Sequence, residues 1–326
     1  MAVKKKKGRP IQDVKLNRKL PYRGRSYMND LQVRLDGQEV VILDGAMGTE
    51  LERRGAPMDD VAWDAAALAT HPDVVREVHE EYIEAGADVI TTNTFATARH
   101  VLEPAGMGDH FRSLNTRAVT LAREARENVA EGPVFIAGSI STMSARTDQS
   151  YKPRAEVARD NYQVQAEILA ESGVDLIVLE MLRDLEHASY AVEAAVATGL
   201  PVWVGFSCKT TSEGTVILLE GNNTLDEALA HIPPLGASLV AIMHTLTEDT
   251  PPALREVNSR WSGPVGAYPH SGEFIMPNWQ FVDIISPEDF TKQAQGWMEM
   301  GVRLIGGCCG IGPEHIRMLK EKLSKR

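Results

Sequence analysis

The sequence has little cysteine and no long apolar segment, and each absence excludes a class of protein. Three cysteines in 326 residues are too few, and odd in number, for the disulfide framework typical of small secreted domains. The longest apolar runs, such as "LIVL" at 176–179, are far shorter than the roughly 20 residues that a membrane-spanning helix needs. We therefore predict a soluble protein of the cytoplasm, a reducing compartment, with no membrane partner.

Nucleotide-binding signatures are also lacking, and basic residues are confined to one end of the chain. We find neither the G-x-G-x-x-G fingerprint nor a P-loop. The net charge is −11, yet residues 1–27 hold ten Lys or Arg against one Asp, so the remainder carries about −20. We interpret residues 1–37 as a disordered basic arm. Because no basic surface follows it, we expect no nucleic-acid partner.

From residue 38 onward, short β-branched runs alternate with longer segments of helical periodicity. "G-A/V-D/S" at Gly86, Gly173 and Gly236 predicts helix C-caps that lead into strands. Eight βα units without a Pro/Gly/Ser-rich linker predict one α/β domain over residues 38–326, a (β/α)8 TIM barrel. The predicted strands are 40–43, 88–92, 134–138, 175–179, 201–206, 238–243, 264–268 and 302–307.

Polar residues follow the predicted strands within a few positions. In a (β/α)8 barrel the active site is built at the C-terminal ends of the strands, so we expect these side chains to share one rim. A single polar residue in a loop means little, but here every strand is followed by one. The candidates are Asp44, Asn93, Ser139, Glu180, Cys208, His244, His270, Cys308 and Cys309.

The stretch "GGCCGIG" at 306–312 places two adjacent cysteines in a glycine-rich turn after the last strand. Glycines give the turn the freedom to bring both sulfurs to one metal ion. Buried packing of two small side chains is a second interpretation. A phosphate cradle at a helix N-terminus is a third. These residues alone do not separate the three.

Several motifs, in order along the chain, resemble the homocysteine S-methyltransferase family of zinc barrels. That family includes betaine-homocysteine methyltransferase, S-methylmethionine-dependent enzymes and one domain of cobalamin-dependent methionine synthase. The resemblance runs from about residue 40 to the C-terminus. Its motifs are "LDGAMGTEL" (43–51), "TTNTF" (91–95), "AGSI" (137–140), "DLIVLE" (175–180), "YPHSGE" (268–273) and "GGCCGIGPEHI" (306–316).

The resemblance implies a methyltransferase that forms methionine from homocysteine and a small methyl donor, with Zn²⁺ as its cofactor. In this family zinc holds the homocysteine sulfur as a thiolate, which attacks the methyl carbon of the donor. By the same motifs, Asp44 and Glu180 are expected to accept hydrogen bonds from the substrate ammonium. The amino-acid pocket is expected to be lined by Gly45, Asn93, Thr94 and Phe95.

The expected third zinc ligand departs from the family pattern. Relatives place a cysteine after strand six, in a "G-x-N-C" turn, where this chain has His244 in "AIMHT". His244, Cys308 and Cys309 would form a Cys₂His set, which catalytic zinc sites use. The alternative third ligand is Cys208, one strand earlier. We favour His244, because barrel geometry fixes strand ends more tightly than it fixes residue type.

The donor side differs from the family as well. "GSISTMSARTDQSY" follows strand three where relatives show "GSIGPYG", and Pro269-His270-Ser271-Gly272 replaces "PNSG". We expect Ser139, Tyr268, His270 and Ser271 near the donor, with Trp279 and Tyr268 as an aromatic wall for an onium methyl group. A homo-oligomer and a separate corrinoid protein stay open as partners. Alternative functions are methyl transfer to another thiol or to a corrinoid protein, and binding of homocysteine or metal without turnover.

Overall fold

A computed structural model describes residues 25–37, 39–143, 153–275 and 280–324. Its strands are β1 Val41–Ile42, β2 Val89–Thr91, β3 Phe135–Ser141, β4 Leu176–Leu182, β5 Val202–Phe206, β6 Cys208–Thr210, β7 Val216–Leu218, β8 Leu239–Leu246, β9 Val265–His270, β10 Glu273–Ile275, β11 Gln280–Val282 and β12 Val302–Ile305. Its α-helices are α1 Arg25–Asp36, α2 Met47–Arg53, α3 Ala67–Thr70, α4 Pro72–Ala85, α5 Arg99–Leu102, α6 Phe111–Val129, α7 Ala155–Ser172, α8 Leu185–Ala197, α9 Leu225–His231, α10 Thr250–Arg260, α11 Pro287–Glu299 and α12 Pro313–Leu323.

Eight of these strands pair in parallel, in the order β1-β12-β9-β8-β5-β4-β3-β2. The two ends of this sheet meet, because Leu43 and Val89 form a parallel bridge and the Asp44 N–H donates to the Val89 carbonyl at 3.0 Å. Each of the eight strands overlaps one predicted from the sequence, so the (β/α)8 barrel is confirmed. Closure of a parallel sheet brings all eight C-terminal strand ends to one rim.

Side chains alternate between the inside of the barrel and the layer under the helices. Val41 and Leu43 point inward, while Ile42 between them belongs to the outer core. Trp203 fills the inside from β5, between the outward-facing Val202 and Val204. Because both faces of each strand are buried, the strands are continuous apolar runs in the sequence.

Glycines with left-handed backbone end two of the predicted helices. Gly86 follows α4 with φ 103°, and Gly173 follows α7 with φ 92°. The third predicted cap, Gly236, ends the 3₁₀ turn Pro233–Leu235 rather than an α-helix. In the described part of the chain, no helix combines the length and the apolar character needed to cross a membrane.

The helix α1 corrects part of the prediction for residues 1–37. Residues 25–36 are helical, and Leu31 and Leu35 are buried in the cluster inside the barrel. Arg34 pairs with Asp88 at 3.2 Å, which places α1 at the N-terminal ends of the strands. The two leucines are spaced i, i+4 and form one apolar face, which a prediction from charge alone overlooks. Residues 1–24 lie outside the described residues.

Two short antiparallel pairs stand outside the barrel sheet, β6 with β7 and β10 with β11. Both extend loops on the C-terminal side of the barrel, after β5 and β9. The sequence did not predict them, because three-residue strands give too few positions for an alternation of apolar and polar residues.

We expect His79 in α4 to make the folding stability depend on pH. Its side chain is fully buried, neither ring nitrogen has a hydrogen-bond partner among the described residues, and burial lowers its pKa to about 3. In the unfolded state His79 takes up a proton near pH 6.5. The contribution of neutral, buried His79 to folding stability is therefore fully present above that pH and is lost as the pH falls towards 3. We expect wild type to lose about 2 kcal/mol between pH 7 and pH 5 through His79. The variant His79→Leu should not show this loss of folding stability.

Urea denaturation at both pH values measures the difference. The control is His110→Leu, since His110 is exposed and its replacement should leave the acid loss as in wild type. Equal acid losses in wild type and His79→Leu would contradict the assignment.

Candidate active site

A small cavity of about 40 Å³ opens among the C-terminal strand ends. It combines apolar rings with polar and thiol groups, which is typical of a ligand site. Lys and Arg are absent from its wall in the part of the chain that the structure describes. The lining residues are Ala46, Met47, Gly48, Trp63, Asp64, Thr91, Thr92, Asn93, Phe95, Glu180, His244, Tyr268, Cys308 and Cys309.

Hydrogen bonds connect the ends of four strands in one chain of side chains. The Ser139 hydroxyl donates to Oε1 of Glu180 at 2.5 Å, and Oε2 of Glu180 lies 2.9 Å from Nε2 of His244. Because the Glu180 carboxylate accepts hydrogen bonds, we assign the imidazole proton of His244 to Nε2. Nδ1 of His244 then presents its lone pair to Sγ of Cys308, 2.8 Å away.

His244 occupies a strained backbone position. Its φ is 49°, and the pairing of β8 with β9 shifts register between Met243 and Leu246. Met181, next to Glu180, has φ 55° at a similar register shift between β4 and β5. Left-handed backbone at a residue other than glycine costs on the order of 1 kcal/mol or more. Such bulges redirect side chains beside active sites, and these two turn His244 and Glu180 towards each other.

The cysteine turn is bonded to the end of β9. The Cys308 N–H donates to the Pro269 carbonyl at 2.7 Å, and the Cys309 carbonyl accepts from the Ser271 N–H at 3.0 Å. Gly310 has φ 82°, and a Cβ there would lie 2.4 Å from the Ser271 carbonyl oxygen, so only glycine fits. The two sulfurs are 3.5 Å apart. Burial raises the pKa of the Cys308 thiol well above its usual value, and the hydrogen bond with the neighbouring Cys309 thiol raises it further.

Three donor atoms of the predicted zinc site therefore converge, but as a hydrogen-bonded cluster. Ligands of tetrahedral zinc, at about 2.0 Å for nitrogen and 2.3 Å for sulfur, lie roughly 3.6 Å (N to S) and 3.8 Å (S to S) apart. The distance of 2.8 Å between His244 and Cys308 is shorter than this. Among the described residues, no group of three or more His, Cys, Asp or Glu has the spacing to hold a metal ion. The donor types fit zinc, and the imidazole has to move away from Cys308 by less than about 1 Å to admit it.

Cys208, the alternative ligand, lies elsewhere. It is buried in the layer under the helices, pairs with Leu218 across β6 and β7, and is not among the cavity residues. Its N–H donates to Oγ1 of Thr245 at 2.9 Å. Burial raises the pKa of its thiol. The structure thus brings His244, Cys308 and Cys309 together and leaves Cys208 outside the cavity wall.

The residues predicted to bind the amino-acid part of the substrate divide into two groups. Asn93, Phe95 and Glu180 line the cavity, whereas Asp44, Gly45 and Thr94 are not among its lining residues. Asp44 accepts from the Thr91 N–H at 2.7 Å, and burial raises its pKa well above the usual value. Thr94 donates to the Ser139 carbonyl at 2.6 Å and ties two strand ends together.

Of the four donor-side residues, only Tyr268 lines the cavity. Ser139 holds Glu180, and Oγ of Ser271 accepts from the Ile285 N–H at 2.9 Å. His270 lies outside the wall, and burial lowers its pKa to about 4. Trp279 falls outside the described residues. Tyr268 and Phe95 flank the imidazole, with ring centroids 5.9 Å and 5.1 Å from that of His244.

The sequence reasoning missed Trp63 and Asp64, which line the cavity from the loop before α3. Asp64 is 2% exposed, and burial, together with the charge of Glu180, raises its pKa to about 7. Trp63 packs edge-on against Phe95, with ring centroids 5.7 Å apart. The available signal was an acidic residue within the apolar run "VAWDAAALA" at 61–69, since buried carboxylates are uncommon.

Comparisons with known proteins find relatives that match most of the chain. The sequence model of the homocysteine S-methyltransferase family matches residues 41–323. The homocysteine S-methyltransferase of Escherichia coli (strain K12) is 30% identical, over 91% of this chain and 99% of that protein. A selenocysteine methyltransferase from Astragalus bisulcatus is 29% identical, over 87% of this chain and 92% of that protein.

Similarity extends to a solved structure of the same kind. The metallated form of the E. coli homocysteine methyltransferase MmuM matches with a TM-score of 0.76 and 27% identity, over 90% of this chain and 99% of that one. Because the family match spans the barrel from its first strand to its last helix, the chain belongs to the homocysteine S-methyltransferase family and is a methyltransferase.

Proposed function

We propose that the protein transfers a methyl group from a small donor to the thiol of homocysteine, giving methionine, at a zinc ion held by His244, Cys308 and Cys309. The observation that carries this proposal is the convergence of Nδ1 of His244 and the two sulfurs on the wall of the cavity. The family match and the metallated state of the E. coli structure support it.

The cavity suits a substrate with a cationic group and a short apolar chain. Asp64 and Glu180 supply its carboxylates, and Trp63, Phe95 and Tyr268 supply its rings. An α-ammonium group is attracted to the carboxylates. The rings provide faces that favour onium methyl groups, so the same wall suits a sulfonium or quaternary ammonium donor.

Zinc, when bound, supplies a thiolate nucleophile at neutral pH by lowering the pKa of a coordinated thiol, which is otherwise near 8.5. In this chain the ligands are two thiolates and one neutral imidazole. The set therefore carries one negative charge fewer than the three-cysteine set that the resemblance implies. A less negative ligand set favours a more complete deprotonation of the substrate thiol and lowers its intrinsic nucleophilicity.

A second acceptor class has a specific observation in its favour. Relatives with 87% coverage of this chain include selenocysteine methyltransferases from Astragalus bisulcatus and Brassica oleracea var. italica. Both acceptors are amino acids with a terminal chalcogen, so the same cavity features suit either. A corrinoid protein as donor, a homo-oligomer and a cytoplasmic location stay predictions; the three free cysteines suit a reducing compartment.

Methyl transfer is tested by incubating the zinc-loaded protein with homocysteine or selenocysteine and each of four donors: S-methylmethionine, S-adenosylmethionine, betaine and methyltetrahydrofolate. We expect methionine to form from homocysteine with at least one donor, detected by mass spectrometry. Formation of methylselenocysteine alone would show that the acceptor is selenocysteine and not homocysteine. Absence of both products, with zinc confirmed, would overturn the proposal.

The third ligand is tested by the zinc content of purified protein. We expect His244→Ala to lose most of its zinc, because two thiolates alone form an incomplete site. Cys208→Ala should retain zinc at the wild-type stoichiometry, since its sulfur lies outside the cavity wall. Elemental analysis of the three proteins, purified in parallel, provides the measurement. Zinc loss in Cys208→Ala alone would show that the third ligand is Cys208 in β6 and not His244.

The hydrogen bond from His244 to Glu180 gives a separate prediction. Metal-bound histidines donate their second N–H to a carboxylate, which fixes the tautomer, and loss of such a partner costs about 10- to 100-fold in metal affinity. Glu180→Gln should therefore weaken zinc binding by about that factor, measured by competition with a chelator. Glu248→Gln, the same change at an exposed position after β8, is the control. Wild-type zinc affinity in Glu180→Gln would show that the carboxylate does not orient the imidazole.

A further inference from the structure

The two carboxylates of the cavity wall differ in how many of their oxygens are engaged. Both oxygens of Glu180 are in short hydrogen bonds, one with Ser139 and one with His244. Oδ1 of Asp64 is buried and has no hydrogen-bond partner among the described residues. A buried, unpartnered carboxylate oxygen is costly to the free protein, so it points to a partner that arrives with the substrate.

A second unpartnered acceptor belongs to Asn93, whose side chain contacts the backbone of Asp64. Nδ2 of Asn93 donates to the Asp64 carbonyl in a long hydrogen bond of 3.5 Å, which favours this orientation of the amide. Oδ1 of Asn93 is then directed elsewhere and lacks a partner within the described part of the chain. Both residues are 2% exposed and both line the cavity. Two buried acceptors without a donor match a ligand group that carries several N–H donors and a positive charge.

Asp44, which the family resemblance suggests for this role, is already engaged. Its Oδ2 accepts from the Thr91 N–H at 2.7 Å, and both of its oxygens lie 3.1 Å from the Thr91 hydroxyl. It is also not among the residues that line the cavity, of which Thr91 is one. Asp44 therefore shapes the wall through Thr91 and does not present a free oxygen to the cavity.

We propose that Asp64, assisted by Oδ1 of Asn93, binds the α-ammonium group of the acceptor and makes the enzyme select amino-acid thiols over thiols without an amino group. The proposal rests on the proposed function, in which the acceptor is an amino acid with a thiol or selenol. Asp64 acts here as a specificity-determining residue and takes no part in methyl transfer.

Two further observations agree with this role. Burial raises the pKa of Asp64 to about 7, as expected for a carboxylate that lacks its cationic partner. The residue before it, Trp63, has φ 48° and ψ −116°, a strained conformation for a residue with a large side chain. This backbone places Asp64, one of the residues that line the cavity, at the start of the 3₁₀ turn Asp64–Ala66.

The test compares homocysteine with 4-mercaptobutanoate, the same molecule without its amino group. In calorimetric titration of the zinc-loaded protein, Asp64→Asn should bind homocysteine about 10- to 100-fold more weakly than wild type, the range for loss of a charged hydrogen bond. Binding of 4-mercaptobutanoate should be unchanged or stronger. Asp60→Asn, an exposed change four residues earlier in the same loop, is the matched control and should bind both thiols like wild type.

Folding and catalysis are checked separately from selectivity. Apo Asp64→Asn should be at least as stable as wild type at pH 8, because the substitution removes an unpartnered buried charge. Asp64→Ser, a smaller neutral variant, serves if Asp64→Asn does not fold. Wild-type affinity for homocysteine in the folded variant, or equal weakening of both thiols, would overturn the role of Asp64. Failure of the proposed function is distinct, since wild type itself would then bind neither thiol or form no methylated product.

Discussion

The hydrogen bond between Nε2 of His244 and Glu180 is the interaction on which the arrangement of the site depends. It fixes the imidazole so that Nδ1 faces the cysteine turn. Both ends of this bond stand on strained backbone, at His244 itself and at Met181 beside Glu180. Register shifts in the sheet therefore provide the geometry, and the barrel core beneath them offsets the strain.

Binding and stability make opposite demands on this cavity. Asp44, Asp64 and Glu180 are all at most 5% exposed, and each buried carboxylate needs hydrogen bonds or a cation. Thr91 satisfies the first, and Ser139 and His244 satisfy the third. The buried Oδ1 of Asp64 is without such a partner in the described structure. Unsatisfied buried groups persist where a ligand completes them. In the role that we propose for Asp64, the energetic cost to the free protein becomes selectivity when the substrate binds.

The fold could be predicted from the sequence almost completely, whereas the site could be predicted only in part. Strands buried on both faces are unbroken apolar runs, and their C-terminal ends identify the rim. Contacts across the barrel have no such signal: nothing in the sequence around Glu180 indicates that its nearest partners are Ser139, 41 residues before it, and His244, 64 residues after it. Asp64 was overlooked because a 3₁₀ turn inside a helical apolar run looks like part of the helix. Leu31 and Leu35 of α1 were overlooked because the prediction for this segment was based on its many basic residues.

His244, the third zinc ligand that we propose, and Asp64, the ammonium-binding residue that we propose, are best understood as one unit. A thiolate needs little orientation, but an imidazole has two different nitrogens, and the correct one faces a metal only if the other is held. In this chain Glu180 holds it, and its second oxygen is taken by Ser139. A substrate ammonium that relied on Glu180 would compete with His244 for the same carboxylate and disturb the ligand geometry. In the arrangement that we propose, a second carboxylate in the wall, Asp64, removes that competition, so that a site with a histidine ligand can still bind an amino-acid thiol.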